Sequence, residues 1–274
     1  MAARQVPRAV WSTVGTMLLQ ILCVSGGRSI PSVDMSQMFS SDMVLQHTNP
    51  TIVGTCNDPL SSVADLISEV AVIVMDAAAQ KILETIQKPI DSSGHFTVVL
   101  SSRKPSPIFY KIIVKCPSGA KANASRVLYG SIIVCGGQSN MGFPTKSEYN
   151  ATKELEVDTT ANYPLVKLFG LKSANASMPL QELVPRWRTG WANLSRQQPT
   201  PNLNAAPVAQ MSAVCWNAGK ELIRRFRSRG EQHPLGLVDA SLGSTRIECW
   251  LPSKALATCS AEYAAFPDVQ VVVG

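Results

Sequence analysis

Two short apolar runs frame the clearest helical pattern in the chain, and together they narrow the fold more than any other feature. They are "SIIVC" (residues 131–135) and "LGLVDASLG" (residues 235–243). A continuous apolar run without polar alternation is the mark of a strand buried on both faces of a parallel sheet. Between them lies "VAQMSAVCWNAGKELIRRFRSRG", where Met211, Val214, Cys215, Ala218, Leu222 and Phe226 recur at helical spacing and build one apolar face. Strand, helix, strand in that order predicts an α/β sheet. "LVKLFGL" adds a further strand, "EYNATKELEVD" a helix start, and a long Pro/Asn/Gln-rich loop separates them from the main helix.

Residues 31–128 follow another pattern. "TIVGT", "VAVIVM", "HFTVVL" and "FYKIIVKC" are short β-branched or aromatic runs, and turn-rich segments such as "NDPLSS", "DSSG" and "RKPSP" lie between them. Short strands without a long helix predict a β-sandwich-like unit. "AAAQKILETIQ" fits a helix or a strand equally well. The expected division is therefore a leader at 1–27, a β-rich N-terminal domain at 28–128 and an α/β domain at 129–274.

The leader reads as a signal peptide: Arg4 and Arg8, then the apolar stretch "VWSTVGTMLLQILCV", then small residues at "SGG". The apolar stretch is short and interrupted by Ser12, Thr13, Thr16 and Gln20, which argues against a membrane span. Cleavage after Gly27 lowers the net charge from +6 to +4, a surplus too mild to imply a nucleic-acid partner. The basic cluster "RRFRSRG" falls at a helix C-terminus, where cations are favoured. Sequons at Asn123, Asn150, Asn175 and Asn193 agree with export, so the chain is expected to be secreted or lysosomal and glycosylated. An oxidising compartment permits disulfides among the six cysteines after the leader, in any of 15 pairings. No C-x-x-C pair occurs and the three histidines stand far apart, so neither a metal site nor a cofactor is expected.

The chemistry centres on "CGGQSNM". A nucleophilic serine must sit on a sharp turn, with its hydroxyl exposed and backbone N–H groups nearby to bind an oxyanion. Ser139, two residues beyond Gly137 at a strand end, meets that need. The α/β-hydrolase elbow G-x-S-x-G does not fit, because Met141 stands where its second glycine belongs. A second loop, "VDASLGSTRIECWLP", also follows a buried strand and carries Gly243. Ligands of open α/β sheets bind at the carboxyl ends of strands, which would place Ser139 and Gly243 on one edge.

"MVLQ", "CGGQSNM", "SAVCWNAGKEL" and "GLVDASLGSTRIECWLP" together resemble the sialate O-acetylesterase family of SGNH-type carbohydrate esterases. The resemblance implies a β-sandwich-like domain followed by a flavodoxin-like SGNH domain. It implies removal of O-acetyl groups from sialic acids or related carbohydrates through an acetyl-enzyme, with Ser139 as nucleophile and Gly243 as oxyanion donor. Ser244 replaces the family's usual second glycine in W-G-G-T, and its side chain is expected to crowd a close backbone approach. Gly136 replaces the serine of the usual C-S-G. The family's later W-Y-Q-G-E-x-N and D-x-x-H segments, the latter bearing the base histidine, have no match here. The expectation is a C-terminally truncated relative with an incomplete SGNH domain. Its competitors are a non-catalytic secreted glycan-binding protein and an acetylesterase for other carbohydrates.

Overall fold

The computed structural model describes residues 31–57, 68–149, 151–156, 162–173, 183–187, 190–194 and 206–251. The leader and the sequons at Asn150 and Asn175 lie outside the described residues.

The first half supplies β1 (Ser32–Met35), β2 (Val44–Gln46), β3 (Thr51–Asn57), β4 (Glu69–Asp76), β5 (Lys81–Pro89), β6 (His95–Val99) and β7 (Tyr110–Lys115). The ambiguous "AAAQKILETIQ" is a turn and then strand β5, antiparallel to β4. Its alternating apolar residues need only one covered face, and Ile82 and Leu83 are exposed on this outer strand.

The long strand β8 (Lys121–Cys135) joins the two halves. Residues 121–127 pair antiparallel with β7, residues 128–130 pair parallel with β2, and residues 131–135 pair parallel with β11 (Leu235–Asp239). One strand therefore runs unbroken through position 128/129. Beyond β11 lie β9 (Val166–Gly170), parallel to it, and the short antiparallel β10 (Ala192–Asn193). The resulting large sheet runs β10-β9-β11-β8-β7-β4-β5, and β1-β3-β6 form a separate small sheet. The helices are α1 (Ala151–Glu156), α2 (Pro207–Gln210) and α3 (Ala213–Ser228).

β9 and β11 are buried at every position because both faces are covered. Leu168, Leu235 and Leu237 pack with Cys215, Trp216 and Ile223 of α3. Phe169 and Val238 point the other way, into a core shared with Val72, Phe96, Ile112 and Tyr129 of the β-rich half. The Cys56–Cys116 disulfide links β3 of the small sheet to the end of β7 in the large one.

A polar cluster adds a second tie between the halves. Asp42 accepts from Arg126 Nε at 2.7 Å and from Asn193 Nδ2 at 2.8 Å. Burial alone would raise the Asp42 pKa, but these hydrogen bonds and the charges of Arg126 and Lys167 bring it below the usual carboxylate value. The amide of Asn193 is buried and donates to Asp42. Asn123 on β8 is exposed. Among the described residues no helix is long and apolar enough to cross a membrane.

Candidate active site

β8 delivers its chain to the site at Cys135, whose sulfur is bonded to Cys215 in the first turn of α3. The chain then reverses. Gly137 has φ +137°, and a Cβ there would lie 2.7 Å from Met141 Cγ, so no side chain fits. The Gly142 N–H donates to Gln138 O at 2.9 Å, closing a single helical turn that carries Ser139 exposed on its outside. The far end of the turn is tied to the start of α3. Ala213 N–H donates to Phe143 O at 2.8 Å, and Thr145 gives both its N–H and its hydroxyl to Met211 O.

The second loop comes from β11. Because β8 and β11 are parallel neighbours, their carboxyl ends share an edge, and the structure brings Ser139 and Gly243 together there. Leu242 N–H donates to Gly137 O at 2.9 Å, joining the two loops directly. A Cβ built on Gly243 would lie 3.9 Å from Ser139 Cα. Ser244 is exposed with φ +64°, a backbone conformation that suits glycine. Its departure from the family pattern therefore bears on the backbone rather than on side-chain crowding.

Asp239, at the end of β11, organises this edge. Its carboxylate is almost fully buried and accepts four hydrogen bonds. They come from Arg186 Nη1 (3.0 Å), Ser212 N (3.1 Å), Ser241 N (3.0 Å) and Ser241 Oγ (2.5 Å). One side chain thus fixes the start of α3, the 183–187 segment and the Gly243 loop. A cleft of about 800 Å³ opens between Gly136–Gln138 on one side and Thr245–Glu248 with Trp250 on the other. Sequence reasoning singled out Ser139 and Gly243 but gave Asp239 no role, although it lies within the quoted "VDASLG". Nothing in the sequence distinguishes Arg186, which sits in the long Pro/Asn/Gln-rich stretch.

None of the three histidines bonds Ser139. His47 pairs with Thr48, His95 with Thr55, and His233 Nε2 lies 2.9 Å from Ser131 Oγ. His233 precedes β11, at the end of the sheet opposite Ser139, and stacks on Phe226 with ring centres 4.2 Å apart. Burial lowers its pKa below the usual imidazole value, the neighbouring His47 and Arg229 lower it further, and Glu231 opposes them. Among the described residues no cluster of His, Cys, Asp or Glu side chains could hold a metal ion.

With a serine turn and a glycine loop joined at one sheet edge, comparison with known proteins becomes informative. The sialate O-acetylesterase of Rattus norvegicus is 34% identical over 183 residues, covering 64% of this chain and 31% of that protein. The chain is similar to sialate O-acetylesterases. The Homo sapiens sialate O-acetylesterase is 33% identical over 185 residues, 64% of this chain and 32% of its own. The chain thus spans about a third of the length of these curated relatives. No protein-family profile matches. Among solved structures, a carbohydrate acetylesterase from Xanthomonas citri superposes with a TM-score of 0.62 at 19% identity, covering 84% of this chain and 44% of that one. At that identity the likeness establishes the α/β fold.

Proposed function

We propose that the chain carries the nucleophile and oxyanion half of a serine esterase acting on O-acetylated carbohydrates, with O-acetylated sialic acids as the favoured class. The observation that carries this reading is the Gly243 loop lying against the Ser139 turn, bonded to it through Leu242 N–H and Gly137 O. In the proposed reaction Ser139 Oγ attacks the acetyl carbonyl carbon as its proton passes to a base. The N–H groups of Ser139 and Gly243 hold the oxyanion. Collapse breaks the bond to the sugar oxygen, which leaves with a proton, and acetyl-Ser139 remains. Water then attacks the acetyl group and releases acetate. The two disulfides support the reading of an exported, secreted or lysosomal protein.

The base is the limiting element. The chain's histidines are all engaged elsewhere, and a serine without a base is a weak nucleophile at neutral pH. That observation also favours a second reading, a secreted protein that binds acetylated glycans without turning them over. Purified chain assayed against 9-O-acetyl-N-acetylneuraminic acid, beside Ser139→Ala, separates the two. Release of acetate that depends on Ser139 supports the esterase. Equal rates for both proteins remove the catalytic claim, and saturable binding without hydrolysis then establishes the binding protein.

A further inference from the structure

His47 and His233 stand where the partner of β8 changes from β2 to β11. His47 directly follows β2, and His233 lies two residues before β11. β2 pairs with residues 128–130 of β8 and β11 with residues 131–135, so the two strand ends meet beside Gly130 and Ser131. The main chain is tight here. His47 N–H donates to Gly130 O at 2.8 Å, Ser131 N–H donates to Pro234 O at 3.1 Å, and a Cβ at Gly130 would lie 2.1 Å from Pro234 O. The two imidazole rings, one from each half of the chain, meet edge to face with centres 5.9 Å apart. Both residues are half-buried. Phe226 of α3 stacks on His233, and Arg229 lies over the Phe226 ring. Arg227 and Tyr163 line the same small pocket as His233. Among the described residues Glu231 is the one carboxylate in that lining, and Arg229 Nε already holds it at 2.9 Å. On the other side, Arg103 N–H donates to His47 O at 2.9 Å, and the Arg103 guanidinium is paired with Glu84.

We infer that His47 and His233 form a proton-operated clasp between the β-rich and α/β halves, closed while both rings are neutral and loosened once both are protonated. Neutral rings set edge to face attract each other. Two imidazolium rings at the same separation repel. Water screens two half-exposed groups, so the second proton is expected to bind about tenfold more weakly than the first. Ser131 is not the switch. Its hydroxyl can donate to a neutral Nε2 or accept from a protonated one, so that 2.9 Å contact survives in either state. The nearby carboxylates do not offset the new charge, because Glu231 and Glu84 are both committed to arginines. Burial first, and then the charge of His47, already hold the His233 pKa down, which agrees with this geometry. The repulsion acts on the two strand ends that carry the rings. The bonds that yield are His47 N–H to Gly130 O and Ser131 N–H to Pro234 O. The inference does not depend on Ser139, which lies at the other end of the sheet.

The test is amide hydrogen exchange and histidine NMR on the full chain, taken from about pH 7.5 down to about pH 5, the range in which imidazoles titrate. Protection is corrected for the intrinsic pH dependence of exchange. On acidification it is expected to fall about tenfold at the amides of His47 and Ser131. It should hold at Val72 and Ile112 in the core of the β-rich half. His47→Gln should remove the fall at Ser131 and move the His233 titration up by about one pH unit, because a like charge is gone. His233→Gln should remove the fall at the His47 amide. Wild-type protection at the junction that does not change with pH overturns the inference. So does a fall that survives His47→Gln, a fall shared equally by Val72 and Ile112, or a His233 titration that is the same with and without His47.

Discussion

Asp239→Asn is the sharpest test of what holds the two loops together. All four groups around the carboxylate point hydrogens at it: the Arg186 guanidinium, the Ser212 and Ser241 N–H groups and the Ser241 hydroxyl. An amide of the same shape has one acceptor oxygen and one NH₂, so it must turn donors toward half of this set. The best orientation keeps the oxygen on Arg186 and Ser212 N. The NH₂ then meets Ser241, whose hydroxyl can rotate to accept but whose N–H cannot. The variant loses one backbone hydrogen bond and the charge facing Arg186. Arg186 retains 30% of its side-chain exposure, so water recovers part of its loss, whereas Asp239 at 1% leaves no such relief on its own side. A full one-sided break of a buried pair is worth about 3–5 kcal/mol, and an orphaned buried donor about 1–3 kcal/mol. With the partial relief at Arg186, about 2.5 kcal/mol is expected. For a protein of this size that lowers Tm by about 5–10 °C, measured by thermal unfolding at neutral pH. Hydrogen exchange supplies the local readout: the Leu242 amide, bonded to Gly137 O, should exchange faster in the variant. A Tm within about 2 °C of wild type, with Leu242 protection intact, would refute the role of Asp239 as the strut between the loops.

Two further outcomes follow from the same structure. Ser244→Gly should stabilise the chain by about 1 kcal/mol, because it relieves a left-handed residue at φ +64° and sacrifices little of an exposed side chain; a fall in Tm would contradict this. His233 has its folded pKa depressed below the ordinary 6.5, so the unfolded chain binds more protons in the window just below that value. Its contribution to stability is therefore complete above 6.5 and lost as pH falls through the depressed folded value. His233→Gln can keep a hydrogen bond to Ser131, and it should flatten the decline of Tm on acidification; an unchanged slope would show that His233 is not the group responsible.

The parallel part of the fold was legible because its signals are local. Full burial writes a continuous apolar run, as at β9 and β11; along α3 the helix itself was legible, but Val214 and Ala218 of the expected apolar face are exposed, and Cys215, Trp216, Gly219 and Ile223 are buried. Less was legible in the β-rich half. "AAAQKILETIQ" becomes a strand because β4 offers it a ladder, a tertiary cause that a single segment does not display. The disulfide pairings were likewise open, since Cys56 meets Cys116 only when two sheets face each other. At the site, Ser139 and Gly243 could be found because backbone turns demand particular residue types. Asp239 and Arg186 could not. A carboxylate at a strand end looks like any other until the 183–187 segment and the start of α3 arrive around it.

The site separates into a part set by the backbone and a part that needs a further side chain. Cys135–Cys215 fixes the strand before Ser139 to α3 across a separation of 80 residues. Asp239 fixes α3 to the Gly243 loop, and Leu242 N–H closes the circuit at Gly137. Each link joins rigid elements, so the relation of Ser139 to Gly243 does not depend on which group takes the proton. In serine hydrolases that lose a triad member, preorganised oxyanion donors and substrate binding still retain roughly 10³–10⁴-fold acceleration over water. The same logic applies to the proposed reading. If the N–H groups of Ser139 and Gly243 form the oxyanion site, their contribution persists without a histidine. What the base would add is the activation of a serine that the fold already holds in place.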